Sequence, residues 1–180
     1  MQDIIENILS LRRRDVIHVV TTTAFFLSII LVAWCATTLY TSCDAPIVVV
    51  LSGSMEPGYY RGDVLLLHSV KQYPAEVGDI IVYSLSERSI PIVHRVHRIH
   101  QRAEDGKRFY LTKGDNNVHD DDFLFKGGRQ WLEEDMIIGK TFAYVPLIGY
   151  LTIAFNEVFI IKYICLVLIA VLLLASNDEF

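Results

Sequence analysis

Cysteine is scarce and poorly placed for staples. There are three in 180 residues, Cys35, Cys43 and Cys165, and none between Asp44 and Lys162. The long middle segment therefore has no disulfide framework and must hold by its own core. No Asn-x-Ser/Thr acceptor occurs anywhere. Internal repeats and low-complexity tracts are missing too, and a net charge of −5 offers no basic surplus for a nucleic-acid partner. Charge of either sign is absent from Val19 to Tyr40, twenty-two residues rich in Phe, Ile, Leu, Val and Ala.

That uncharged run is long enough to cross a hydrocarbon core of about 30 Å as a helix. It exceeds the apolar core of a cleaved leader, so it reads as an uncleaved anchor. Arg12, Arg13 and Arg14 precede it and only Asp44 follows closely, which places residues 1–15 in the cytosol and everything after Tyr40 beyond the membrane. The expected layout is a basic tail over 1–15, a transmembrane anchor over 16–41 and a luminal domain over 42–156. An apolar helix over 157–176 and a tail over 177–180 complete it. Val158–Ala175 is apolar apart from Lys162, and fits a short second span or a helix dipping into the near leaflet.

Between the apolar ends the pattern is short and β-rich. Ile47–Leu51, Val64–Leu67, Ile80–Leu85, Ile92–Ile99, Phe109–Thr112 and Ile137–Val145 are β-branched or aromatic runs of strand length. Gly62-Asp63, Gly78-Asp79 and Gly114-Asp115 punctuate them as turns. Only Gln130–Asp135 looks briefly helical. The fold class is mainly β: an antiparallel β domain carried on an N-terminal transmembrane helix, with a C-terminal apolar helix. Asp105-Gly106 is the preferred centre of a two-residue hairpin turn. With that centre Glu104 pairs with Lys107, and His94 faces Asn117 with Asp115 and Asp121 nearby.

Chemistry gathers at two places. Ile47–Val50 runs into Ser52-Gly53-Ser54 and is broken by Met55-Glu56-Pro57, which presents the Ser54 hydroxyl at a strand end. A serine is a weak nucleophile until a neutral imidazole takes its proton and a carboxylate holds that imidazole in the right tautomer. His94 and the aspartates Asp115, Asp120, Asp121 and Asp122 offer those parts. The rival is a metal site drawn from His94, His97, His100, Asp115, His119 and Asp120–Asp122. Strand alternation splits those histidines between faces, so the reading calls for no metal and no cofactor. A third reading is a catalytically silent β subunit of a membrane complex.

Taken together, Ser52-Gly53-Ser54-Met55-Glu56-Pro57, Arg61-Gly62-Asp63, Ile90-Pro91-Ile92-Val93-His94-Arg95-Val96 and Lys113-Gly114-Asp115-Asn116-Asn117 closely resemble type I signal peptidases. The resemblance is to the endoplasmic-reticulum form, the catalytic subunit of the signal peptidase complex. It implies Ser54 as nucleophile and His94 as base, where bacterial relatives use lysine. It implies Asp121 as the orienting carboxylate, with Asp115 close in support. Ser52 matches a position that helps form the oxyanion hole, together with the Ser54 N–H. The implied activity is removal of signal peptides after small residues at −1 and −3. The implied partners are precursor signal peptides, other subunits of the complex and the lipid bilayer, in the endoplasmic-reticulum membrane.

Overall fold

The computed structural model describes residues 13–85, 90–125, 131–157, 162–164, 167 and 169. The chain divides into two compact units, residues 1–40 and 41–180. The first is carried by helix α1, Arg13–Thr41, 29 residues long. Within it Ile17–Thr41 is long and apolar enough to cross a membrane. Hydroxyls in that stretch are satisfied locally: Thr23, Ser28 and Thr37 each donate to the carbonyl four residues earlier, at 2.7–2.8 Å. A polar group paired on its own helix enters an apolar medium without leaving an unmet hydrogen bond. The chain leaves α1 through Ser42 at φ 50°, the left-handed conformation that commonly ends a helix.

The second unit is one seven-stranded antiparallel sheet. Its strands are β1 Ile47–Val49, β2 Val64–His68, β3 Ile80–Tyr83, β4 Ile92–Gln101, β5 Arg108–Lys113, β6 Leu132–Glu133 and β7 Ile137–Val145. Their order across the sheet is β1-β2-β7-β3-β4-β5-β6, so β7, the last strand made, closes the gap between β2 and β3. A short helix α2, Gly149–Glu157, follows. The expected mainly β, antiparallel class is what the chain adopts. The expected apolar segment Val158–Ala175 lies almost wholly outside the described residues.

Side-chain alternation builds the core on both faces of the sheet. All four residues of β3 are buried. Ile81 and Tyr83 join Val70, Ala75, Val96, Tyr110, Leu132 and Ile137 on one side, while Val82 joins Cys43, Val50, Leu65 and Leu67 on the other. A strand covered on both faces loses the polar–apolar alternation of a half-exposed one, and Ile-Ile-Val-Tyr shows none.

Two of the expected Gly-Asp turns share one design. Gly62 at φ 93° and Gly78 at φ 96° take the left-handed position that glycine adopts without strain. The aspartate that follows each one bonds back across the turn, Asp63 Oδ2 accepting from Tyr60 N–H and Asp79 Oδ2 from Glu76 N–H.

Two local expectations are corrected. Gln130–Asp135 does not form a helix over its described part: Leu132–Glu133 is a strand and Glu134–Met136 one 3-10 turn. Leu132 is fully buried and pairs with Tyr110, so core packing overrides the local preference. The β4–β5 hairpin also has a different register. Arg102 N–H donates to the Lys107 carbonyl, making Ala103–Gly106 a four-residue loop with Gly106 at φ 69°, in place of a two-residue turn. Gln101 pairs with Arg108, and the ladder slips again at His97, since Val96 faces Thr112 but Arg98 faces Leu111. The last pair is Arg95 with Lys113, which brings His94 level with Gly114 rather than Asn117.

Candidate active site

The loop bearing Ser54 is fixed at both ends. At its base, Val50 N–H donates to Asp63 O at 2.9 Å and Gly62 N–H donates to Val50 O at 2.8 Å. Within it, Tyr59 N–H reaches Met55 O at 3.0 Å, and Met55 is completely buried, an apolar pin in an otherwise polar loop. The Glu56–Pro57 peptide is cis. Ser52 Oγ lies 3.2 Å from Ser54 Oγ, so the two hydroxyls are adjacent.

A second segment clasps that loop from β5. Asn116 donates its N–H to Ser54 O at 2.9 Å and its side-chain amide to Gly53 O at 3.1 Å. Gly114 makes the approach possible, because a Cβ there would stand 2.7 Å from Ser54 O. Asp115 takes two parallel bonds from Arg95, at 2.8 and 2.6 Å, and Arg95 also donates to Gly78 O at 2.8 Å. Asp115 thus faces Arg95 and not His94. The hydrogen bond that Arg95 donates to Asp115 is the main cause that raises the Arg95 pKa above its usual value, against partial burial.

His94 sits on β4 opposite Ile81 and is buried. Its Nε2 lies 3.2 Å from Ser54 Oγ, and its Nδ1 lies 2.5 Å from Asp121 Oδ2. Asp121 arrives from the 3-10 turn Asp121–Leu124 after β5, not across the β4–β5 ladder. This is why the cluster forms although the hairpin register differs from expectation. The three neighbouring aspartates part ways. Asp120 pairs with His97 at 3.2 Å, Asp121 meets His94, and Asp122 accepts from the N–H of Phe123 at 2.8 Å.

Two further residues reach the same carboxylate. Tyr83 OH donates to Asp121 Oδ2 at 3.0 Å and Thr112 Oγ1 donates to it at 2.6 Å. Neither was singled out from the sequence. The signal was there in Tyr83, since a tyrosine closing a fully buried strand must place its hydroxyl on a polar partner. Arg95 and Asn116 were likewise passed over as parts of a motif without a separate role. Among the described residues no group of three or more His, Cys, Asp or Glu side chains converges as a metal ion would need.

A hydroxyl, an imidazole and a buried carboxylate in line, on an antiparallel sheet that follows an apolar helix, are the groups that serine-type hydrolysis requires. No family model matches the chain. It is 37% identical over 177 residues to the human signal peptidase complex catalytic subunit SEC11C, covering 98% of this chain and 92% of that one. It is 39% identical to the SEC11 catalytic subunit of Plasmodium falciparum, over 93% of this chain and 89% of the relative. To that of Ogataea parapolymorpha it is 45% identical, over 81% and 87%. The chain belongs to the SEC11 family of signal peptidase complex catalytic subunits, the endoplasmic-reticulum branch of the type I signal peptidases.

Proposed function

We propose that this protein is a membrane-bound serine endopeptidase that removes N-terminal signal peptides from secretory and membrane precursors, using Ser54, His94 and Asp121. The observation that carries the reading is the unbroken chain from Ser54 Oγ through the His94 ring to Asp121, at 3.2 and 2.5 Å. With the Nδ1 proton directed at Asp121, the Nε2 lone pair faces the serine. As Ser54 Oγ attacks the scissile carbonyl, Nε2 takes its proton and later hands it to the leaving amine, while Asp121 stabilises the imidazolium between the two steps. Ser52 Oγ and the Ser54 N–H are the donors for the oxyanion. Asp115 acts at one remove: its bonds from Arg95 hold the Gly114–Asn117 segment that clasps the Ser54 loop.

The substrate is an extended peptide laid beside the site as an added strand. Shallow apolar pockets admit only small side chains at −1 and −3. Arg12–Arg14 before the apolar run support a cytosolic N-terminus, with the sheet on the luminal side of the endoplasmic-reticulum membrane. There the enzyme works with other subunits of a signal peptidase complex, meeting a bilayer-bound substrate at a fixed height. The test is precursor cleavage by the purified complex. Ser54→Ala and His94→Ala each lower kcat by about 10⁴-fold or more, and a chelator leaves the wild type unchanged. Cleavage that survives Ser54→Ala overturns the serine mechanism, and loss on chelation points to a metal.

A further inference from the structure

Oδ2 of Asp121 receives three donors, from three different strands. His94 Nδ1 comes from β4, Tyr83 OH from β3 and Thr112 Oγ1 from β5, at 2.5, 3.0 and 2.6 Å. The two hydroxyls are 3.3 Å from each other. Each carries one proton, and both hydroxyls are placed to donate to the carboxylate when Asp121 is ionised. Asp121, Tyr83 and Thr112 are all completely buried, so bulk water cannot replace either donor.

A carboxylate turns easily about its last torsion, which has only a broad two-fold preference. One bond to an imidazole does not stop that turn, because ring and carboxylate can swing together. Two hydroxyls anchored on the neighbouring strands do stop it. They also settle the tautomer. Oδ2 accepts from both hydroxyls and carries no proton of its own, so the ring must bring a proton on Nδ1 and keep Nε2 free to accept from Ser54. The turn carrying Asp121 is only four residues long, and the sheet lends it a rigidity that it lacks alone.

We propose that Tyr83 and Thr112 are positioning residues of this site: two strand-borne hydroxyls that pin Asp121 Oδ2 and thereby set the tautomer and aim of His94. Neither touches Ser54, and neither is placed to meet the substrate. The inference rests on the Ser54–His94–Asp121 reading. It predicts a loss that appears in kcat and leaves KM unchanged, because the hydroxyls act on the base and make no contact with the substrate.

The experiment uses the assembled complex, with peptide cleavage resolved into kcat and KM. Tyr83→Phe removes one oxygen and keeps the ring in the core, and Thr112→Val keeps the shape without the hydroxyl. Each lowers kcat about tenfold, the effect of losing one hydrogen bond to a charged group, with KM within about twofold. Thr112→Ser, which restores the donor, returns kcat to within about threefold of wild type. The deciding arm is coupling. In an Asp121→Ala background Tyr83→Phe and Thr112→Val cost no further kcat, since there is nothing left to pin. Unchanged kcat in both single variants, or equal losses with and without Asp121, overturns the inference. If Ser54→Ala or Asp121→Ala is itself fully active, the underlying reading falls instead. Tyr83→Phe and Thr112→Val act from different strands, so either alone decides the matter if the other fails to assemble.

Discussion

His94 and Arg95 are neighbours on β4, yet they serve two carboxylates in opposite ways. Successive strand residues point to opposite faces of a sheet. His94 therefore turns inward to Asp121, with side chains 7% and 0% exposed, while Arg95 turns outward to Asp115, at 38% and 19%. In the proposed mechanism the dry pair holds a group that gains and loses a proton during turnover. The wetter pair holds a permanent cation in a two-pronged bond, which suits a brace. Each pair reaches the Ser54 loop: the first through Nε2 to the serine hydroxyl, the second through the Gly114–Asn117 clasp on its backbone carbonyls. A shift of one residue in β4 would exchange brace and base.

The sharpest way to break this comparison is to make the same substitution in both carboxylates. Asp121→Asn leaves the shape but lets the ring settle with the wrong nitrogen protonated. It lowers kcat by about 10⁴-fold, the scale of a triad aspartate replaced by asparagine, with little change in thermal stability. Asp115→Asn keeps one acceptor for Arg95 and loses the charge. It costs about 1 kcal/mol of stability, that of a part-exposed pair, and kcat falls less than about tenfold. Matching losses of kcat from the two variants would show that Asp115 works on His94 after all. Cleavage rates and melting curves on the purified complex separate the cases.

Next in size is the clasp itself. Gly114→Ala places a methyl 2.7 Å from Ser54 O, against backbone that cannot step aside as a flexible side chain can. The loop or β5 must shift, at a cost of about 1–3 kcal/mol. Because the displaced atom belongs to Ser54, the proposed nucleophile, kcat drops by more than the stability loss explains. Gly106→Ala supplies the control on the same hairpin. Gly106 has φ 69°, and a Cβ there would meet only the Gln101 amide at 3.9 Å, so alanine costs stability of about 1 kcal/mol through the backbone alone and leaves kcat unchanged. Equal kcat in the two variants would remove the clasp from the account.

What the sequence made legible was whatever depends on local chemistry. The long apolar helix, the strand runs, the Gly-Asp turns and the Ser54 loop follow from run length, β-branching and turn residues, and the structure keeps them. The register did not survive, although Asp105-Gly106 is a strong turn signal. A four-residue loop and a bulge at His97 are set by packing on β3 and β6, which no local window contains. His94 nonetheless lies beside an aspartate, because Asp121 comes from a turn beyond the hairpin. Tyr83 was hidden for a related reason. Its part depends on Thr112 and Asp121 meeting it from segments 29 and 38 residues away.

The smallest effect tests the choice among the three consecutive aspartates. Asp120 and Asp121 share a segment and each faces a histidine of β4, yet His97 and Asp120 have side chains 54% and 30% exposed. Water screens that pair, and such pairs contribute about 0–1 kcal/mol. Asp120→Asn therefore changes kcat less than about threefold, and Asp122→Asn, whose amide oxygen still accepts from Phe123 N–H, changes it no more. Were Asp120→Asn to match the loss from Asp121→Asn, the His97 pair would be holding the turn that delivers Asp121. His97→Gln would then show the same loss, whereas with a solvated pair it leaves cleavage at the wild-type rate.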